Sequence, residues 1–265
     1  IRDRIIPAYR PDDSFHKLIR LLLEQSVKPH HIYVLQTIED GEQVLQPLDQ
    51  RMSVHPVPKK EFDHGATRDY GAGLAVKDIG DDISQHYILF MTQDAVPAGT
   101  ELLERLVKPF GDDRTAITYA RQLAREEADL LERLTRVHNY PPEDQVKSKE
   151  DLERLGIKTY FCSDVCAMYR LDRYMEQGGF VHPTIFNEDM IMASRMIQAG
   201  YQVVYCGSAE VFHSHNYSCM QQFHRNFDLG VSQKQYREVF ESISSEKEGA
   251  GYAKSTLLYL SLIHI

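Results

Sequence analysis

Over its first 110 residues the chain alternates short apolar runs with segments of helical spacing, and this restricts the fold more than any other feature. IIPAY (5–9), HIYVLQT (31–37), MSVHPV (52–57) and YILFMT (87–92) read as strands. DSFHKLIRLLLEQS (13–26), ATRDYGAGLAVKDI (66–79) and GTELLERLVKPF (99–110) carry helical periodicity, the first with Asp13 or Ser14 as its cap. Strands and helices alternating at this interval predict βαβ units, hence an α/β fold with a mostly parallel central sheet flanked by helices. Right-handed crossovers would then bring every parallel strand's carboxyl end to one edge.

The second half is less regular. Residues 113–120 suggest a further strand, and the charged stretch 121–157 a helical region broken at NYPPED (139–144). YFCSDVCAMYR (160–170) is strand-like. FNEDMIMASRMIQAG (186–200) reads as a helix with acids in its first turn and Gly200 as its stop, and YQVVYCG (201–207) and AEVFHSH (209–215) as two more strands. With no repeat, low-complexity tract or linker, the expectation is one domain over 1–265, in two halves that divide near 110, with a tail beyond about 235.

Chemistry collects where predicted strands end and helices begin. ILFMTQDAVP (88–97) is an apolar run that stops on Thr92, Gln93 and Asp94. Asp94 serves a turn through its local hydrogen bonds, or it holds a metal or substrate at the sheet's carboxyl edge. EFDHGATRDYGAG (61–73) sets Gly65, Gly71 and Gly73 around a helix start, with Arg68 and Asp69 between. Backbone amides there could approach a phosphate, or the glycines could serve packing; neither a GxGxxG nor a Walker loop is present. Asn187-Glu188-Asp189 opens a helix either as capping acids or as a general base, and spacing does not say which acid points inward. In VFHSHNYS (211–218), His213 and His215 stand two apart and would share a strand face. Both could ligate a metal, or one could support the other.

The formal net charge of −9 over 265 residues argues against a nucleic-acid binder, which would show a basic face. Cys162, Cys166, Cys206 and Cys219 form no zinc-type CxxC pair and read as reduced thiols of a cytoplasmic protein. No segment reads as a membrane span. The apolar close STLLYLSLIHI has no polar stop, and a short tail contacting the inner face of a membrane is expected to follow it.

The order IIPAYRPDDSFHKLIRLLLEQS, HGATRDYGA, FMTQDAVP, FNEDMIMASRMIQAGY and VFHSHNYS, continued by QQFHRNFDLGVSQ, resembles family 2 glycosyltransferases of the Rossmann-like GT-A fold. Within them it is most similar to bacterial dTDP-L-rhamnose-dependent rhamnosyltransferases. The resemblance implies an inverting transfer from a nucleotide sugar, dTDP-rhamnose or a UDP-sugar, to a hydroxyl of a glycan or lipid-linked glycan, with Mg²⁺ or Mn²⁺. It aligns Asp94 with the metal-binding acid of the DXD-type motif, here TQDA, with Gln93 beside it, and His213 with the metal-ligating histidine. Asp189 matches the catalytic base, with Glu188 next to it, and Gly65, Arg68 and Asp69 match the donor-binding segment. The nucleotide-binding acid that ends the second strand has no clean counterpart; Thr37 or Glu39 stands in its place. Acceptor contacts are expected in 119–144. Two alternatives remain: a metal-dependent hydrolase on Asp94, His213 and His215, which calls for a further strong ligand, and a catalytically silent binding domain.

Overall fold

A computed structural model describes residues 2–80 and 82–241; the apolar tail singled out above lies outside the described residues. Among the described residues nine strands run β1 (Arg2–Tyr9), β2 (His31–Ile38), β3 (Met52–Pro58), β4 (Tyr87–Met91), β5 (Val96–Pro97), β6 (Thr115–Leu123), β7 (Gln145–Lys147), β8 (Cys166–Arg170) and β9 (Gln202–Phe212). The helices are α1 (Asp13–Leu23), α2 (His64–Ile79), α3 (Leu102–Val107), α4 (Leu130–Asn139), α5 (Leu152–Leu155), α6 (Leu171–Glu176), α7 (Glu188–Gln198), α8 (Cys219–Gln235) and α9 (Arg237–Phe240).

All strands join one sheet in the order β3-β2-β1-β4-β8-β6-β9-β5, with β7 on β9. β3, β2, β1 and β4 are mutually parallel, as are β6 and β9. β8 is antiparallel to both β4 and β6, which it separates. Two reversals restore direction, so β6 and β9 point the same way as the first four strands. The carboxyl ends of β1, β2, β3, β4, β6 and β9 therefore share one edge, and the amino end of β8 joins them there.

Side chains alternate across this sheet as the pleat requires. In β2, Tyr33 and Leu35 enter one core while Ile32 and Val34 enter the other; in β4, Ile88 and Phe90 oppose Leu89 and Met91. Helix α1 covers one face with Phe15, Leu18, Ile19 and Leu22, the spacing of an amphipathic stripe, and Leu102, Leu103 and Leu106 of α3 join it. Ala72 and Ala75 of α2 and Met192, Ala193, Met196 and Ile197 of α7 fill the other.

Boundaries moved where polar groups had better partners. The cap of α1 is Asp12, not Asp13 or Ser14, because its carboxylate accepts from the N–H groups of Ser14 and Phe15 at 3.0 and 3.2 Å. The expected 160–170 strand is confined to Cys166–Arg170; what precedes it is a 3₁₀ turn and an irregular loop. The charged 121–157 region holds the end of β6, helix α4, the short β7 and two brief helical turns. The two strands expected over 201–215 are a single strand ending at Phe212, with a bulge between Cys206 and Glu210 opposite β6. Gly207 lies in that bulge, where a Cβ would sit 2.2 Å from the Pro142 carbonyl oxygen, so only glycine lets the 139–144 loop cross this closely.

Candidate active site

Asp94 lies in the turn after β4, and His213 and His215 follow β9. The Asp94 Oδ2 atom is 3.2 Å from His215 Nε2 and 3.6 Å from His213 Nε2, and the two Nε2 atoms are 3.1 Å apart. One ligand atom from each of the three residues lies within 4.8 Å of the others. The two histidines were expected to share a face of one strand. They leave the strand first, and the chain beyond Phe212 turns both rings onto the same carboxylate.

Burial pushes the His213 imidazole down to about 3 and lowers His215 as well, so both rings are neutral near neutral pH. Burial alone would raise Asp94, but the positive charge of the two imidazoles in the acid range more than offsets it and holds the carboxyl below its usual value. Two neutral imidazoles and one carboxylate form a donor set that suits a divalent cation. The Arg125 guanidinium donates to the Asp94 carbonyl at 2.5 Å, adding a cation at the same rim. A cavity of about 320 Å³ lined by Glu127, Ser214, His215, Asn216, Tyr217 and Gln221 opens beside it.

The second group of acids forms where the loop before β8 meets the first turn of α7. Asp189 accepts the Asp164 N–H at 3.1 Å and the Met190 N–H at 2.7 Å, and it stays partly open. Glu188 is buried and pairs with Arg68 at 3.1 Å; Arg68 also faces Asp164 at 3.7 Å. Tyr169 donates to Asp164 at 2.6 Å. Here the ambiguity between the two acids of α7 is resolved by packing. Glu188 points into an ion-pair cluster and Asp189 toward the open side. Burial first, then the neighbouring Glu188, pushes the Asp189 carboxyl up to about 7. Burial raises Asp164 far above the usual carboxylate range. Removing Arg68 should leave the Glu188 carboxylate buried without its counter-cation. Arg68→Met is expected to cost about 3–5 kcal/mol in urea unfolding, and a loss under about 1 kcal/mol, the scale of a surface pair, would sink the structural role.

Several residues expected at the donor are engaged elsewhere. Arg68 is only 4% exposed, inside the cluster just described. Glu188 is paired with it rather than open to a substrate. Asp69 accepts from Tyr174 Oη and from the Phe180 N–H at 3.0 Å, so it braces the turn after α6. A Cβ on Gly65 would come within 2.2 Å of the Val181 carbonyl oxygen, which makes this glycine one of close packing. Gln93 is bonded through both ends of its amide to the Tyr9 backbone, at 2.8 and 3.0 Å, and ties β1 to β4. Thr37 is buried because β2 is covered on both faces. Glu39, the other candidate there, reaches the surface and accepts from Tyr9 Oη at 2.6 Å and Lys59 Nζ at 2.7 Å.

Four residues of the site were not singled out beforehand: Gln122, Arg125, Arg136 and Asp164. Asp164 did carry a signal, as a polar residue inside the strand-like run YFCSDVCAMYR, whereas Gln122 lay just past the strand expected over 113–120, because β6 runs on to Leu123. Of the segment expected to meet an acceptor, Tyr119 to Leu123 belong to β6, while α4 exposes Leu131 and Val137. The four cysteines are unpaired. No helix among the described residues is long and apolar enough to cross a membrane.

The α/β fold, a mostly parallel mixed sheet flanked by helices, is the GT-A fold, and solved structures share it. The S. aureus protein TarS in complex with UDP-GlcNAc superposes with a TM-score of 0.57 at 11% identity, covering 82% of this chain and 59% of that one. The mannosyltransferase PcManGT from Pyrobaculum calidifontis, in complex with GDP-Man and Mn²⁺, gives 0.54 at 12% identity, covering 82% and 58%. This chain thus spans under two thirds of either structure. The family model "Glycosyl transferase family 2" matches residues 4–177, and the chain belongs to that family. The O-antigen chain rhamnosyltransferase RfbN of Salmonella typhimurium is 39% identical over 229 residues, which are 86% of this chain and 70% of that protein. WbaN of Salmonella anatum, of the same description, is 35% identical over 230 residues with the same coverage.

Proposed function

We propose that this protein is an inverting rhamnosyltransferase that moves L-rhamnose from dTDP-L-rhamnose to a hydroxyl of a glycan or lipid-linked glycan during synthesis of a surface polysaccharide. The observation that carries the reading is the pairing of one partly open, proton-hungry carboxylate, Asp189, with the Asp94, His213 and His215 group on the same sheet edge. The described names of RfbN and WbaN support rhamnose as the sugar and an O-antigen-like glycan as the acceptor.

In this reading Asp189 takes the proton from the acceptor hydroxyl as it attacks the anomeric carbon, and the carbon–oxygen bond to the diphosphate breaks on the opposite face. Two backbone N–H groups hold the Asp189 carboxylate in place, and its raised affinity for a proton suits a general base working near neutrality. Asp94 and His213, with His215 beside them, would hold Mg²⁺ or Mn²⁺, which takes up the negative charge building on the departing diphosphate. Arg125 is placed to add positive charge on that side. A hydrolase on the same three residues finds no support in the family or in the relatives.

The test is a donor panel of dTDP-rhamnose, UDP-glucose, UDP-galactose and GDP-mannose, scored by release of the nucleoside diphosphate with Mg²⁺ or Mn²⁺ and a lipid-linked glycan acceptor. Release of dTDP well above diphosphate release from the other three donors is expected. Release from a UDP- or GDP-sugar alone would overturn the donor, and metal-dependent release that ignores the acceptor would overturn transfer in favour of hydrolysis.

A further inference from the structure

We propose that Gln122 is a positioning residue that locks His213 in the tautomer whose Nε2 lone pair faces Asp94, presetting this ring, and not His215, to ligate a divalent cation. The inference rests on the metal-centre reading above for its purpose, but its geometry stands alone.

Gln122 is the penultimate residue of β6, 2% exposed, and lies opposite Val211 of β9 in the register. The ladder continues past the strand end, where the His213 N–H donates to the Leu123 carbonyl at 3.0 Å. This fixes the His213 backbone beside Gln122 before either side chain is placed. The Gln122 Oε1 atom then receives Arg136 Nη1 on one side and faces His213 Nδ1 at 2.9 Å on the other. A guanidinium only donates, so the atom it meets must be the amide oxygen; an amide turned the other way would set N–H against N–H. The other end of the amide donates to Tyr140 Oη at 2.6 Å and Ser163 Oγ at 2.9 Å.

With its oxygen so fixed, Gln122 can only accept from His213, and the ring hydrogen belongs on Nδ1. His213 Nε2 is left bare, aimed at the space it shares with Asp94 and His215. The 3.1 Å contact between the two Nε2 atoms needs one hydrogen, and it must come from His215, whose Nε2 also lies 3.2 Å from the Asp94 carboxylate. The two histidines are therefore unequal: His213 is ready to ligate, whereas His215 Nε2 would first have to give up its proton. Metal-bound histidines are commonly oriented by such a bond from the other ring nitrogen, and loss of that partner costs about 10–100-fold in metal affinity. The same amide reaches Ser163, next to the Asp164 whose N–H holds Asp189, so Gln122 ties the two sides of the site together.

The test has two arms. In metal-free protein with isotope-labelled histidine, long-range proton–nitrogen NMR should show His213 protonated on Nδ1 in the wild type and shifted to Nε2 in Gln122→Leu. Mn²⁺ titration followed by the electron spin resonance of the free ion should show about 10–100-fold weaker binding in Gln122→Leu. Gln122→Glu, which keeps an acceptor between Arg136 and His213, should restore the Nδ1–H form and most of the affinity. A wild-type His213 protonated on Nε2, or a Leu variant with unchanged tautomer, overturns the proposal. The wild-type spectrum needs no variant, so a substitution that fails to fold does not shelter it. A wild type that binds neither Mn²⁺ nor Mg²⁺ overturns the metal centre instead, and the NMR arm still decides the role of Gln122.

Discussion

Asp189→Asn should lower turnover by about 10²–10⁴-fold, the usual worth of a positioned general base, while dTDP binding with metal stays close to wild type. The substitution keeps the shape and one hydrogen-bond acceptor for the N–H groups of Asp164 and Met190, so the loss would be chemical. The wild-type rate should climb as pH rises through about 7, where the Asp189 carboxyl loses its proton, and this limb should vanish in the residual activity of the variant. Stability should move the other way. The ordinary value for the carboxyl is 3.8 and the folded value is about 7, so the folded state holds this proton more tightly than the unfolded chain. The resulting stabilisation is full below about pH 4 and is lost as pH rises through about 7. Asparagine has no proton to lose at this position, so the variant should melt above the wild type at pH 8, with the gap closing toward pH 4. Near-normal turnover in Asp189→Asn, or a wild-type rate flat across neutrality, would remove Asp189 as the base.

Asp94→Asn should fold like the wild type and lose metal-dependent binding of dTDP. A turn can use asparagine as readily as aspartate, and this turn is closed by the Ala95 N–H on the Thr92 carbonyl at 3.2 Å, with Arg125 on the Asp94 carbonyl at 2.5 Å. The carboxylate itself faces the two histidines. Its removal takes away the only anionic oxygen of the three-residue group while leaving the shape almost unchanged. At ligand near 100 times its dissociation constant, the wild type should gain about 2.7 kcal/mol from dTDP with Mn²⁺, read as a rise in melting temperature. The variant should show no such gain. His213→Ala should weaken the same response and Asp189→Asn should leave it intact. An Asp94→Asn protein that keeps the full metal-dependent shift would leave Asp94 as a turn residue and nothing more.

The sequence alone determined the α/β class, the first four strands, the helices between them and the strand-end positions of Asp94 and His213. These are local matters: apolar periodicity sets the element, and parallel crossovers send strand ends to one edge. It also supplied the family, through motifs on β1, α1, α2, α7 and α8 and at the ends of β4 and β9. What the tertiary structure decided is how each polar group is used. Glu188 and Asp189 are adjacent and chemically alike, and only the packing of α7 against Arg68 and the loop before β8 separates the buried ion-pair partner from the partly open carboxylate. Arg68, Asp69, Gly65 and Gln93 lay in the motifs expected to meet the donor, yet Glu188 with Asp164, Tyr174, Val181 and the Tyr9 backbone, brought in from distant stretches, take them up in turn. Asp164 reaches the site because β8 runs against its neighbours, placing its amino end where the other strands finish, and Gln122 because β6 ends at that same edge. Spacing along a chain sets which residues share a face; which of them find partners across the sheet depends on strand order, and no local pattern carries that.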